Sequence, residues 1–222
     1  MTLKFLELQR NPFHRQQNKY VILDIDQTLA YTFQDEDHAR LSKAIEKSNY
    51  DVSDIVYKIS EVRGRKSRLF VYGVKRPYLD VFLQFCHLYY KGVIIWSAGT
   101  DYYVEKMVAE LFKNLPKPVM VYKLSDCESK DGSLFKPIEK LFEESKLAGM
   151  DYTNSLVIDD NAFTFSDNVD NAIHIPAYVV KPKMTSISEP DSALLQLIWW
   201  MLKPEVLCSD DIQDLEKPSF HS

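Results

Sequence analysis

The chain has 222 residues, 45% hydrophobic and 27% charged, a balance that fits a globular protein with one substantial core and a small insertion. Its net charge of −5 excludes non-specific nucleic-acid binding by the surface as a whole. Three widely spaced cysteines, Cys86, Cys127 and Cys208, and a start (Met1–Leu8) without the apolar core of a signal peptide predict an intracellular setting, cytoplasmic or nuclear, and no disulfide framework.

Residues 1–17 read as an N-terminal extension. The apolar run Val21-Ile22-Leu23 predicts a first buried strand that ends in Asp24 and Asp26. Ala30–Tyr50 is polar and helix-like, and Asp51–Tyr72 alternates like short strands. Together they form an insertion of about residues 30–72. It carries the basic cluster Arg63-Gly64-Arg65-Lys66-Ser67-Arg68, which reads as a solvated hairpin edge or, more sharply, as a nuclear-import or phosphate-docking patch. Within Val74–Tyr90, Leu79, Phe82, Leu83, Cys86 and Tyr90 recur at helical spacing, with Pro77 in the first turn. Gly92–Trp96 is a second strand. Ser97–Thr100 then turns into a helix over about Asp101–Phe112, with Thr100 as its cap. Pro118–Tyr122 is a third strand and Pro137–Leu147 a helix with Ile138, Leu141 and Phe142 inward. Ser155–Ile158 and Ala172–Ile175 are the fourth and fifth strands. Ala193–Leu202 is strongly apolar but too short to span a bilayer, so a packed helix and no membrane association are expected. From residue 204 to 222 the chain is acidic, with Asp210, Asp211, Asp214 and Glu216, and reads as a mobile tail.

Strands alternating with helices predict an α/β, Rossmann-like, mainly parallel sheet with helices on both faces and ligands beyond the carboxyl ends of the strands. Three of those ends carry polar residues: Asp24 with Asp26, Ser97, and Asp159 with Asp160. Lys136 stands ahead of the fourth strand. Carboxylates at i and i+2 at a strand end can face one crevice, where they repel unless a cation sits between them. Such a pair suits Mg²⁺-assisted phosphoryl transfer, one carboxylate attacking phosphorus and the other moving the proton. Lys136, Ser97 and the metal would mask the charge of the phosphate. Taken singly, each residue also has a plainer reading: Ser97 as a helix cap, Lys136 at a solvated helix end, Asp159-Asp160 as a turn before Asn161. The five histidines form no close pair, so zinc is not expected.

Five motifs in order resemble the haloacid-dehalogenase superfamily of aspartate-nucleophile phosphatases, and more narrowly the RNA polymerase II carboxy-terminal-domain phosphatases with their small, NLI-interacting-factor-like branch. They are Leu23-Asp-Ile-Asp-Gln-Thr-Leu29, Lys75-Arg-Pro-Tyr-Leu-Asp-Val-Phe-Leu83, Ile95-Trp-Ser-Ala98, Leu134-Phe-Lys-Pro137 and Leu156-Val-Ile-Asp-Asp160, within a domain of about residues 18–203. The resemblance implies that Asp24 is the nucleophile and forms an aspartyl-phosphate. By the same resemblance Asp26 protonates the leaving alkoxide and then activates water, while its backbone carbonyl binds Mg²⁺. Thr28 shapes the turn beside the substrate, Ser97 bonds a phosphoryl oxygen and Lys136 neutralises charge. Asp24 and Asp160 join the metal site, with Asp159 as a support or as a direct or water-mediated ligand. The implied activity is Mg²⁺-dependent hydrolysis of phosphoserine or phosphothreonine in a phosphoprotein partner, RNA polymerase II C-terminal repeats among the candidates, with no stable nucleic-acid binding. Two alternatives are a small-molecule or nucleic-acid end phosphatase on the same fold, and a catalytically silent phosphoprotein-binding module. The chain departs from the family at Gln27, where Glu is common, and at Asn161-Ala162-Phe163, where a Ser-Pro-like continuation is usual. It also has no arginine between Tyr122 and Lys136, where Lys123 and Lys130 are the nearest cations.

Overall fold

The computed structural model describes residues 17–33, 35–47, 52, 54–63, 67–187 and 189–220. Residues 1–16 of the expected N-terminal extension and residues Gly64–Lys66 of the basic cluster lie outside the described residues, as do the side chains of Arg63 and Arg68. In chain order the first half has strands β1 (Tyr20–Leu23) and β2 (Ala30–Thr32), helix α1 (Asp35–Glu46), strands β3 (Val56–Arg63) and β4 (Ser67–Lys75), helix α2 (Leu79–Tyr89), strand β5 (Gly92–Trp96) and helix α3 (Asp101–Leu111). The second half has strands β6 (Met120–Tyr122), β7 (Glu128–Lys130), β8 (Ser133–Phe135), β9 (Ser155–Asp159) and β10 (Ala172–His174), then helices α4 (Met184–Ile187), α5 (Ala193–Met201) and α6 (Pro204–Cys208).

Because side chains alternate across a strand, the run Tyr20-Val-Ile-Leu23 serves two layers at once. It lies at the centre of a five-stranded parallel sheet of order β10-β9-β1-β5-β6. Val21 and Leu23, with Val93, Ile95, Leu156 and Ile158, pack on one face against Phe82 and Leu83 of α2, Met107 and Leu111 of α3, and Leu194 and Leu197 of α5. Tyr20 and Ile22, with Ile94, Trp96 and Val157, pack on the other face against Ile138, Leu141, Leu147 and Phe165. That second layer differs from the single helix expected over Pro137–Leu147. It consists of short 3₁₀ turns at Ile138–Leu141 and Ser145–Leu147. The inward residues Ile138 and Leu141 are three apart, a spacing that one 3₁₀ turn brings onto a single face.

The insertion is an antiparallel sheet of order β2-β4-β3 with α1 beside it, and it reaches to Lys75, which pairs with Ala30. Strand pairing therefore claims Val74 and Lys75, and α2 begins only after Tyr78, whose left-handed backbone (φ 65°) turns the chain into the helix. Thr100 precedes α3 but makes no side-chain capping bond.

The segment after Lys203 is not a free tail. Val206 and Ile212 are buried in the same core as α2 and α5. The Ile212 amide donates to Thr153 O (2.7 Å), and Trp200 Nε1 donates to Glu216 O (3.0 Å). Lys19, just before β1, donates from Nζ to Val206 O at 3.0 Å. The acidic residues are spread over a stretch fastened by its few apolar ones. Ile212 is 1% exposed, so Ile212→Ala should lower unfolding free energy by about 2–4 kcal/mol in chemical denaturation. A mobile tail would leave the midpoint unchanged.

Candidate active site

At the carboxyl end of the sheet, β1 and β9 lie side by side and bring Asp24 beside Asp159. The Asp24 amide donates to Ile158 O at 3.0 Å, which sets that register. The Lys136 ammonium enters between the two carboxylates, 2.6 Å from Asp24 Oδ1 and 2.6 Å from Asp159 Oδ2. All three side chains are buried. Lys136 is carried by the edge of the β7–β8 hairpin, whose turn, Asp131-Gly132, has positive φ at both residues (52° and 80°). The lysine's backbone amide is tied down by donating to Thr164 O at 2.7 Å. Thr164 Oγ1 donates to Asp159 Oδ2 (2.9 Å) and the Asn161 amide to Asp159 Oδ1 (2.8 Å). Both oxygens of Asp159 are thus engaged by protein donors.

Burial pushes Asp24 well above the usual carboxylate range; Lys136 works against that shift, while the charges of Asp159 and Asp26 add to it. For Lys136 burial disfavours the charged form, yet Asp24 and Asp159 together outweigh it and the ammonium is raised above its ordinary value. The two directions agree physically. One cation serves two carboxylates, Asp159 has further donors, and the excess negative charge falls on Asp24. Asp160 is also raised, by burial and then by Asp159. Its Oδ1 accepts from Thr28 Oγ1 at 3.1 Å, and its amide donates back to the same hydroxyl at 3.0 Å. Thr28 thereby links the loop after β1 to the end of β9.

Asp26 faces a different set of groups. Its Oδ1 accepts from the Tyr103 hydroxyl at 2.5 Å. Burial raises its carboxyl, opposed by Tyr103, the Lys136 charge and hydrogen bonds from Ser97 and Thr32. Ser97, at the end of β5, is 1% exposed and also accepts the Gly99 amide at 3.1 Å. Thr32 Oγ1 lies 2.7 Å from Tyr103 OH and 2.8 Å from Tyr57 OH. Burial, and then the Asp26 charge, push the Tyr103 hydroxyl far above its usual value, so it acts as a donor.

Asp24, Asp26, Thr28, Ser97, Lys136, Asp159 and Asp160 therefore meet in one crevice. Residues missed by sequence reasoning are Tyr103, Thr32, Tyr57, Thr164 and the structural role of Arg76. Arg76 is fully buried and donates to Thr28 O (3.1 Å), Gln27 O (3.4 Å) and Pro176 O (2.8 Å), and its other bonds are a two-pronged pair with Asp191 (both 2.9 Å). It clamps the turn in which Gln27 adopts φ 63°, a conformation that costs about 1–3 kcal/mol unless held. Lys123 is held by Glu105 (3.0 Å) and Asp101 (3.5 Å).

One carboxylate oxygen each from Asp24, Asp159 and Asp160 lies within 4.8 Å of the others. All are hard oxygen donors of the type Mg²⁺ takes. Among the described residues this donor set fits such an ion, and both oxygens of Asp159 already accept from Lys136, Thr164 or Asn161.

The sequence profile of NLI interacting factor-like phosphatases matches residues 19–212. The chain belongs to that family. It is 25% identical over 185 residues to nuclear envelope morphology protein 1 of Saccharomyces cerevisiae, covering 81% of this chain and 39% of that protein. It is 23% identical over 196 residues to CTD nuclear envelope phosphatase 1B of Danio rerio, covering 88% and 71%. The fold is similar to that of Fcp1, an essential RNA polymerase II CTD phosphatase, with TM-score 0.55 and 21% identity over 79% of this chain and 44% of that one. A variant of the fission yeast enzyme bound to beryllium fluoride gives TM-score 0.55 and 21% identity over 82% and 49%. The chain thus spans less than half of the yeast relative and of the two Fcp1 chains. Among the described residues no helix is long and apolar enough to cross a membrane.

In this family member the lysine between two carboxylates sets a stability signature. Removing it in Lys136→Met should cost about 3–5 kcal/mol at pH 8, the usual cost of leaving a buried charge without its partner. Asp24 and Asp160 already bind protons more readily folded than unfolded. Their destabilising charge is therefore present at high pH and is relieved as pH falls. The Tm deficit of the variant should shrink from pH 8 to pH 5, and added Mg²⁺ should narrow it at pH 8. A deficit independent of both would show that the cost is packing alone.

Proposed function

We propose that the protein is a Mg²⁺-dependent phosphomonoester hydrolase that removes phosphate from serine or threonine in a protein, through an aspartyl-phosphate on Asp24. The observation that carries this reading is the Lys136 ammonium 2.6 Å from both Asp24 and Asp159, with Asp26 held apart on its own hydrogen bonds. Two nearby carboxylates in different surroundings take different work: Lys136 favours the attacking anion of Asp24 against the burial that raises its carboxyl, and burial helps Asp26 keep a proton to give.

Asp24 attacks phosphorus with the oxygen not committed to Lys136. The P–O bond to the leaving group breaks as the Asp24–P bond forms, and Asp26 delivers its proton to the departing alkoxide. Asp26, now ionised, takes a proton from water, whose oxygen attacks phosphorus and releases inorganic phosphate and Asp24. Lys136 and Ser97 hold the phosphoryl oxygens, and Thr28 fixes the loop that carries Asp26. Asp24 and Asp160 would hold Mg²⁺, which when bound supplies neutralising charge on those oxygens. Asp159 positions Lys136. The likeness to Fcp1, named as a phosphatase of the RNA polymerase II CTD, supports a protein substrate, and the two curated relatives, both named for the nuclear envelope, support an intracellular site.

Asp24→Asn should fold as the wild type does and lose turnover of p-nitrophenyl phosphate by about 10³-fold or more, as removal of a nucleophile does. Chelator should abolish wild-type activity, with recovery in Mg²⁺ and not in Ca²⁺, whose looser coordination misplaces the carboxylate. Phosphoserine and phosphothreonine peptides should be better substrates by kcat/KM than a panel of phosphorylated metabolites and nucleic-acid ends. Hydrolysis by well-folded Asp24→Asn, or full activity in chelator, would end this reading.

A further inference from the structure

Outside the crevice floor, a line of hydroxyls runs from the insertion to Asp26. Tyr57 OH on β3 meets Thr32 Oγ1 on β2 at 2.8 Å, and Thr32 meets Tyr103 OH on α3 at 2.7 Å. Tyr103 then donates to Asp26 Oδ1 at 2.5 Å. While Asp26 is ionised it can only accept. Tyr103 therefore spends its single proton on Asp26, and Thr32, whose own proton is directed toward Tyr103 and Asp26, accepts from Tyr57. At the far end Tyr57 OH also lies 3.3 Å from Tyr31 O, and the shorter contact, to Thr32, takes its single proton.

Sterics point to the same arrangement. Tyr57 stands opposite Gly73 in the β3–β4 ladder. A Cβ at Gly73 would lie 2.0 Å from Tyr57 Cζ and 2.1 Å from its hydroxyl, so the ring lies across a strand position that has no side chain. A Cβ at Gly99 would lie 2.7 Å from Tyr103 Cδ1. Each tyrosine of the chain is thus seated in space that a glycine leaves. Tyr57 is 2% exposed, and a hydroxyl buried to that degree is placed by its partners and its packing together.

We infer that Tyr103, Thr32 and Tyr57 are positioning residues for the proton transfer at Asp26, so that the three-stranded insertion orients the carboxyl that protonates the leaving group. This rests on the acid–base role proposed for Asp26. The chain fixes one oxygen of Asp26 as an acceptor and with it the direction in which the carboxyl faces the departing alkoxide. The consequence is specific to leaving groups. A serine alkoxide needs its proton in the transition state, whereas p-nitrophenolate leaves with little help.

The test uses the full chain and steady-state kinetics on a phosphoserine peptide and on p-nitrophenyl phosphate. Tyr103→Phe keeps the ring and removes the donor. It should lower kcat for the peptide by about tenfold or more, the scale of a small misplacement in a reacting geometry. KM should stay within error, and the loss on p-nitrophenyl phosphate should be several-fold smaller. Tyr57→Phe, and Gly73→Ala, which displaces the Tyr57 ring, should act in the same direction and less strongly. In an Asp26→Asn background Tyr103→Phe should add no further loss on the peptide, because the group it orients is gone. Equal losses on both substrates in folded Tyr103→Phe, or an undiminished loss in the Asp26→Asn background, would show hydroxyls that only satisfy one another in the junction and would overturn the inference. If Tyr103→Phe does not fold, Tyr57→Phe decides by the same criteria. The failures are separable. If Asp26→Asn does not discriminate between the substrates, the acid–base reading falls and the inference with it. If Asp26→Asn discriminates and the tyrosine variants do not, the inference alone falls.

Discussion

The geometry of the crevice depends on one shared cation. Adjacent parallel strands place Asp24 and Asp159 side by side, and buried carboxylates that close would otherwise repel or take up protons. Lys136 reaches both at 2.6 Å. Its own position is set from outside the strands, by the β7–β8 hairpin and by the backbone bond to Thr164. Thr164 in turn bonds Asp159, so the lysine and the carboxylate it serves are held by one short loop. That loop converts an electrostatic liability of the parallel sheet into a fixed arrangement of charge.

A second constraint acts on the turn after β1. Gln27 occupies the left-handed region, and the turn carries Asp26 and Thr28 into the crevice. Arg76 satisfies its carbonyls at Gln27 and Thr28 from below, and Tyr178 N donates to Gln27 O at 2.7 Å. The guanidinium fork spans three carbonyls and the Asp191 carboxylate, which a lysine could not do with one ammonium. Arg76 of the Lys-Arg-Pro segment is thus the brace of the turn after β1, 48 residues along the chain from the Thr28 carbonyl it holds.

The insertion is tied into the same centre. β2 leaves the Asp26 turn directly, with a bridge between Asp26 and Ala30, and β4 returns to Arg76. Its sheet and the parallel sheet are therefore joined at the two points that fix the loop. The insertion thus contacts Asp26 through the backbone at Ala30 and through the hydroxyls of Thr32 and Tyr103.

The sequence by itself determined the parallel sheet and the residues of the crevice. Short apolar runs at Val21–Leu23, Gly92–Trp96 and Ser155–Ile158 can only be strands buried on both faces, and the polar residues that end such strands must converge at one edge. Asp24, Asp26, Ser97, Asp159 and Asp160 were legible as candidates for that reason, because they end the strands of the parallel sheet, whereas Lys136 was legible only from its motif Leu134-Phe-Lys-Pro137. The hairpin that carries Lys136 was also written locally, in the turn pair Asp131-Gly132, but its strands are too short and too polar to read as such. Only the tertiary structure decided the rest. The 3₁₀ turns after Pro137 arise because residues that favour an α-helix must seat Ile138 and Leu141 on a flat sheet, and packing overrides propensity. The segment after Lys203 is acidic by composition, yet Val206 and Ile212 find the core, and two well-placed apolar residues fasten a polar stretch. The partners of Asp26 are set by crossings between β2, β3 and α3, with Tyr103 lying 77 residues along the chain from Asp26, and no local pattern encodes which hydroxyls meet when separate elements fold onto one another.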